Sequence, residues 1–106
     1  MTYTVRFAPE AAHQLEALYR YIASSASPTV AADYVDAVVA HCEGLAVFPH
    51  RGTLRDDIRP GLRTSSYRKR AVIATFVDDE AQQVTILGVF YGGQDYDTIL
   101  SGSDNA

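Results

Sequence analysis

Seven of the nine Lys and Arg residues fall between Arg51 and Arg70, with Arg55, Arg59, Arg63, Arg68, Lys69 and Arg70 forming most of the block. Cations at this density attract a phosphate chain or an acidic protein surface. The rest of the chain is acid: residues 1–50 hold two cations against five anions, and residues 71–106 hold six anions and no cation. With a net charge of −4, the chain is a dipole rather than a polycation, which disfavours non-specific adhesion to DNA or anionic membranes and points to a defined partner. The plain alternative is a solvated face in which the arginines pair with Asp56, Asp57 and neighbouring acids. Such exposed pairs contribute only about 0–1 kcal/mol each, so stability alone does not account for the clustering.

Other chemistry-bearing residues point away from a metal or cofactor. A single cysteine, Cys42, allows no internal disulfide, and His13, His41 and His50 lack ligand spacing. Cys42 reads as core packing, and His13 and His41 as ordinary helix residues. Asp33 and Asp36 lie on the polar side of a helix and make a poor carboxylate dyad. Asp78, Asp79 and Glu80 read as a solvated hairpin tip. Tyr67 and Tyr91, beside arginines, could stack on bases, although amphipathic strand-end tyrosines are common.

These side chains need a scaffold, and 106 residues with 47% apolar content suffice for one domain with one core. No apolar run reaches the roughly 18–20 residues of a membrane helix, and the first residues lack a signal-peptide pattern, so a cytoplasmic protein is expected. Residues 1–100 are expected to form the domain and 101–106 a disordered tail. Alternation in Tyr3-Thr4-Val5-Arg6-Phe7 predicts a strand. Pro9 suits a first helical position, and Ala11, Leu15, Leu18 and Ile22 repeat at helical spacing, although Ala8 is a weak cap. Ser24–Ser27 breaks that helix. Ser27-Pro28 opens a second, with Val30, Tyr34, Val38, Cys42 and Leu45 as its stripe. Phe48-Pro49 ends it, and residues 49–61 read as a loop. Three strands follow, at Leu62–Tyr67, Arg70–Val77 and Val84–Tyr91, the last two joined by an acidic hairpin, with a weak helical turn near Asp97–Leu100. The expected fold class is α+β, in the order βααβββ, with an antiparallel sheet carrying a two-helix hairpin on one face.

The last two strands are apolar at alternate and intervening positions alike: Val72, Phe76, Ile86 and Phe90, then Ile73, Val77, Leu87 and Val89. Two helices cover one face only, so the second needs a cover of its own. Either a partner chain supplies it, or the 49–61 loop and the tail beyond Asp95 do.

The ordered segments Phe7-Ala8-Pro9-Glu10-Ala11, Tyr21-Ile22, Phe48-Pro49, Arg55 through Arg63, and Val89-Phe90-Tyr91-Gly92-Gly93-Gln94-Asp95 together resemble the RelE/ParE toxin superfamily. The resemblance spans Val5 to Asp95 and is closest to the ParE branch in Pro60-Gly61-Leu62-Arg63, in Arg70 opening a strand, and in Tyr91 at a position that is aromatic or His. It implies the toxin of a bacterial type II toxin–antitoxin module, neutralised by a cognate antitoxin that wraps exposed surfaces and alone mediates contact with operator DNA. ParE-like relatives inhibit DNA gyrase, whereas RelE-like relatives cut messenger RNA on the ribosome.

Metal-free RNA cleavage through the 2′-hydroxyl needs a base, an acid and cations for the phosphorane charge. Arg63, Arg68 and Arg70 could supply the cations. Tyr91, with an ordinary pKa near 10, and His50, with no evident orienting partner, are weak acid–base candidates. Gly93 and Gln94 stand where nuclease relatives usually carry a further basic residue and some ParE relatives an arginine. The expectation is therefore a toxin that acts by binding, without catalytic groups or cofactor. Its contact surface for target or antitoxin is Arg55, Arg59, Arg63, Arg68, Lys69, Arg70 and Tyr91. The alternatives are a nuclease using Arg63, Arg70 and Tyr91, or a non-toxic partner that binds antitoxin and modulates operon repression.

Overall fold

A computed structural model describes residues 2–92. Strand β1 (Thr4–Phe7) leads into helix α1 (Pro9–Ser25), then helix α2 (Pro28–Glu43) and a 3-10 turn at Gly44–Ala46. Strands β2 (Thr53–Leu54), β3 (Leu62–Tyr67), β4 (Ala71–Asp78) and β5 (Gln83–Tyr91) complete the order. The helical turn anticipated near Asp97–Leu100 and the tail 101–106 lie outside the described residues. No helix among those residues is long and apolar enough to cross a membrane.

Local chemistry explains the boundaries. Pro9 begins α1 with no side-chain cap from Ala8, whereas Ser27 caps α2 by accepting from the Val30 N–H at 3.1 Å. The Ser24–Ser27 break proves narrower than its composition implies, because α1 runs through Ser25 and only Ala26 and Ser27 separate the helices. Leu45 belongs to the 3-10 turn rather than to α2, and Val30 stays half exposed on the outer side of its helix.

The sheet order is β1-β5-β4-β3-β2. It differs from the sequence expectation in two respects. The 49–61 loop contains β2, which pairs antiparallel with β3 through Thr53 and Thr64. The sheet is also mixed, because β1 pairs parallel with β5 from Thr4 opposite Gln83 to Phe7 opposite Ile86. Alternation identifies a strand but carries no information about its neighbour or direction, and two residues are too few to show a period.

Both helices pack on one face, where Val38, Cys42, Leu45, Ile73, Val84, Ile86 and Val89 share the main core with Ala11. A register shift lies between Ala74 and Thr75: Ala74 sits opposite Gly88 while Thr75 sits opposite Ile86, which leaves Leu87 extra on β5. The bulge inverts the side-chain alternation. Ile86 therefore packs under the helices while Phe90, read from sequence as its same-face neighbour, joins Leu62 and Ala74 on the opposite face. Ile58 of the 49–61 loop packs on that second face, yet Phe76 there remains 43% exposed, while Leu54, opposite Arg63, is 47% exposed on the other side of the sheet. The loop seals part of the apolar surface, and part stays open.

Where β1 stops, α1 takes over: the Gln14 carboxamide oxygen accepts the Val89 N–H at 2.7 Å beside the bulge. Gln14→Ala leaves that part-buried donor without its partner and is expected to lower stability by about 1–3 kcal/mol, read as a shift in the urea midpoint with an unchanged denaturant slope.

Candidate binding surface

Strand β3 runs through the middle of the cationic block, and its six residues set one group of cations about 17 Å from another. The first group surrounds its start. Residues 55–62 close on themselves through Arg55 N–H to Leu62 O (2.7 Å), Arg59 N–H to Arg55 O (3.1 Å) and Leu62 N–H to Arg59 O (3.1 Å). Asp56 accepts the Gly61 N–H at 2.8 Å inside this loop. Arg55 grips Asp57 with two bonds, Nε to Oδ1 at 2.9 Å and Nη2 to Oδ2 at 2.8 Å, and this holds the Asp57 carboxyl below its ordinary range. Arg55 is thus committed within the loop, as the solvated-face alternative expects, while Arg59 is exposed.

Arg63 donates to the backbone carbonyl of His50 at 2.9 Å. The His50 ring has the orienting partner that sequence reasoning did not find: its Nε2 lies 2.8 Å from Asp79 Oδ1, which also accepts the Tyr3 hydroxyl at 2.8 Å. The hydrogen bond from Tyr3, followed by the charges of His50 and Arg63, holds the Asp79 carboxyl low, and the same hydrogen bond, with partial burial and the Asp79 charge, raises the Tyr3 phenol. Asp79, expected to be merely solvated at its hairpin tip, therefore ties three segments together. Tyr3, His50 and Asp79 are far apart in sequence and carry no local signal of the contact.

The second group lies at the far end of β3. Arg70 N–H closes on Tyr67 O at 3.1 Å, and the two residues between, Arg68 and Lys69, have φ of 51° and 61°. This is type I′ turn geometry, which favours Asn-Gly and costs other residues about 1 kcal/mol or more each. The Arg68 guanidinium sits 5.3 Å from the centroid of the Tyr67 ring. Arg68, Lys69 and Arg70 are exposed, and none forms an ion pair among the described residues.

Beside this turn the aromatic rings form a chain. Tyr91 meets Tyr21 at 6.1 Å and Tyr34 at 5.7 Å, Tyr34 meets Tyr67 at 6.0 Å, and Tyr67 meets His41 at 5.1 Å. Tyr21 and Tyr91 also wall a cleft of about 370 Å³ with Gln14, Leu18 and Val89. The Tyr34 hydroxyl and His41 Nε2 are buried and have no hydrogen-bond partner among the described residues. Burial, then the nearby Arg51 charge, lowers the His41 pKa from 6.5. Above pH 6.5 the ring is neutral in both folded and unfolded chains and has no effect. Below it the unfolded chain takes up the proton first, so stability is expected to fall with pH and level off once the folded ring also protonates. Urea midpoints at pH 7.5 and 5.5 check this, and His41→Phe is expected to flatten the difference.

Cys42 is fully buried and its thiol is pushed up to about 12, which makes it an inert core residue. No group of three potential metal ligands exists among the described residues. Arg70 and Tyr91 lie side by side, since Ala71 pairs with Tyr91 and Gly92 N–H reaches Arg70 O at 3.1 Å. Arg63 is elsewhere, opposite Thr75, four residues along β4 from the Ala71–Tyr91 pair and so about 13 Å from it. Gly93, Gln94 and Asp95 fall outside the described residues.

The described residues thus form a five-stranded sheet with a helical hairpin on one face and cations gathered at both ends of β3. The ParE toxin model, of the type II toxin–antitoxin system parDE, matches residues 5–96, and the chain belongs to that family. In three dimensions it is similar to the chromosomal ParDE toxin–antitoxin system of P. aeruginosa, with a TM-score of 0.74 and 21% identity over 85% of this chain and 96% of the other. It is also similar to the RelBE2 toxin–antitoxin complex of Mycobacterium tuberculosis, with a TM-score of 0.64 and 28% identity over 89% and 95% of the two chains. Among curated proteins nothing matches the chain.

Proposed function

We propose that this ParE-family toxin arrests growth in the cytoplasm by binding DNA gyrase and poisoning its DNA-cleaving complex. A cognate antitoxin neutralises it and alone recognises operator DNA. The two solved relatives come from toxin–antitoxin systems, which supports the antitoxin partner. The observation that carries the choice of binding over cleavage is the spread of the nuclease candidates. Arg63 sits about 13 Å along the sheet from Tyr91 and about 17 Å from Arg70, and the Tyr91 ring is engaged by Tyr21 and Tyr34, an arrangement suited to a broad contact rather than to one scissile phosphate. The contact residues are Arg59, Arg63, Arg68, Lys69, Arg70 and Tyr91, with Arg55 fixing the loop that presents Arg59.

Purified toxin added to a gyrase supercoiling reaction is expected to inhibit it and to accumulate cleaved DNA, while ribosome-bound messenger stays intact. Arg70→Ala, on an exposed residue, is expected to keep the fold and to require about tenfold more protein for the same inhibition, the loss of roughly one charged contact. Messenger cutting without gyrase inhibition overturns the reading.

One observation favours a second reading. His50, oriented by Asp79 and adjacent to Arg63, has the geometry of an acid–base group for messenger cleavage. In that case His50→Ala abolishes cutting of ribosome-bound messenger.

A further inference from the structure

We infer that the β3–β4 turn, Arg68-Lys69-Arg70, is a contact site for the phosphate backbone of double-stranded DNA, independent of base sequence. The inference deepens the reading of this toxin as a binder by naming the chemistry that one end of its surface takes.

Three observations converge on the turn. First, its two central residues hold φ of 51° and 61°, where Asn-Gly would sit without strain, and both are cations. Strain kept at an exposed tip marks the side chains themselves as the reason for the sequence. Second, none of the three cations has a carboxylate partner among the described residues, unlike Arg55, which Asp57 holds at 2.8 Å. Third, the cations at the two ends of β3 keep different company: Arg51, Arg59 and Arg63 stand among exposed aliphatic and phenyl side chains, whereas Arg68, Lys69 and Arg70 cap an end lined by tyrosines. Leu54 pairs with Arg63, Phe76 pairs with Leu62, and Val47 and Phe48 precede His50, whose carbonyl Arg63 holds. All four are exposed and all lie at the Arg63 end.

A protein partner needs an apolar centre to its interface, which the Arg63 end offers. A nucleic-acid contact is polar and strongly positive, which is the character of the turn. Outside residues 51–70 the chain carries two cations against eleven anions, so a polyanion can approach only locally, within that block. A duplex backbone fits better than a single strand because the ring faces that would stack on free bases are in use. Tyr67 lies under the Arg68 guanidinium, and Tyr34 and Tyr91 pack against other rings.

The test measures anisotropy of a labelled 30-base-pair duplex of arbitrary sequence with the full chain, between 20 and 200 mM salt. Arg68→Asn/Lys69→Gly is the informative variant, because it removes two charges while giving the turn its preferred residues, and its urea midpoint is expected to be no lower. The wild type is expected to bind the duplex at 20 mM salt. The variant is expected to bind about tenfold more weakly, and its plot of log K against log salt to be shallower by about 2, near 0.9 for each lost phosphate contact. Equal affinity and slope in the two proteins overturns the proposal. So does absence of wild-type binding, or preference for the matching single strand or for an acidic peptide over the duplex. The assay contains no gyrase, so its outcome stands apart from the supercoiling result. A toxin that fails to inhibit gyrase but binds duplex through this turn separates the two readings, as does the reverse.

Discussion

Gly52→Ala is expected to destabilise the toxin by about 2–4 kcal/mol, a large share of the roughly 5–15 kcal/mol available to a domain of this size. Gly52 has φ of +95°, so an alanine there is strained whatever the space around it. There is also no space: its Cβ would lie 2.5 Å from the Thr64 carbonyl oxygen and 3.1 Å from Ser65 Cβ. Backbone cannot step aside as a side-chain tip can, so the residue must push β2 from the edge of β3. The thermal midpoint is expected to drop by more than about 10 °C. Gly44→Ala is the control, because Gly44 has φ of −63° and nothing within 4 Å of its virtual Cβ. It is expected to be neutral or to gain up to about 1 kcal/mol. Equal losses in the two variants would show that the close approach of Gly52 to β3 is not what matters.

Leu45→Ala is expected to cost about 2–5 kcal/mol, from lost apolar burial plus the cavity left behind. Leu45 is 1% exposed and belongs to the main core with Val38, Cys42, Val84 and Ile86. It also anchors the 3-10 turn whose Ala46 carbonyl accepts the Tyr3 N–H at 2.8 Å, and which leads directly to Phe48, His50 and Arg51. Amide exchange in Val47–Arg51 is therefore expected to accelerate more than exchange in β4. Uniform acceleration across both would mean that the turn adds nothing beyond its share of the core.

Most of the scaffold was legible because its signals are local. The Ser27-Pro28 start, the stripe through Val38 and Cys42, and the stop at Phe48-Pro49 each depend on neighbours within a few residues. The parallel pairing of β1 and the bulge at Leu87 depend on contacts between distant segments, and a bulge leaves no mark in an apolar run such as Val84-Thr85-Ile86-Leu87. That one extra residue moved Phe90 to the opposite face from the one its parity with Ile86 implies. The candidate surface was legible in composition but not in arrangement. Charge counting found the arginines, yet only the register of β3 separates Arg63 from Arg68 and Arg70. The His50–Asp79–Tyr3 contact was invisible, since each partner alone has an ordinary explanation.

The parallel seam between β1 and β5 bears on when the toxin becomes dangerous. Thr4 finds its partner only when Gln83 has been made, and Val84 and Ile86 complete the hydrophobic interior. A ribosome adding about 5–20 residues per second therefore carries a nascent chain whose first strand waits, unpaired, for the last. Until β5 emerges from the exit tunnel the sheet is incomplete, so an antitoxin has no finished fold to neutralise before that strand is out.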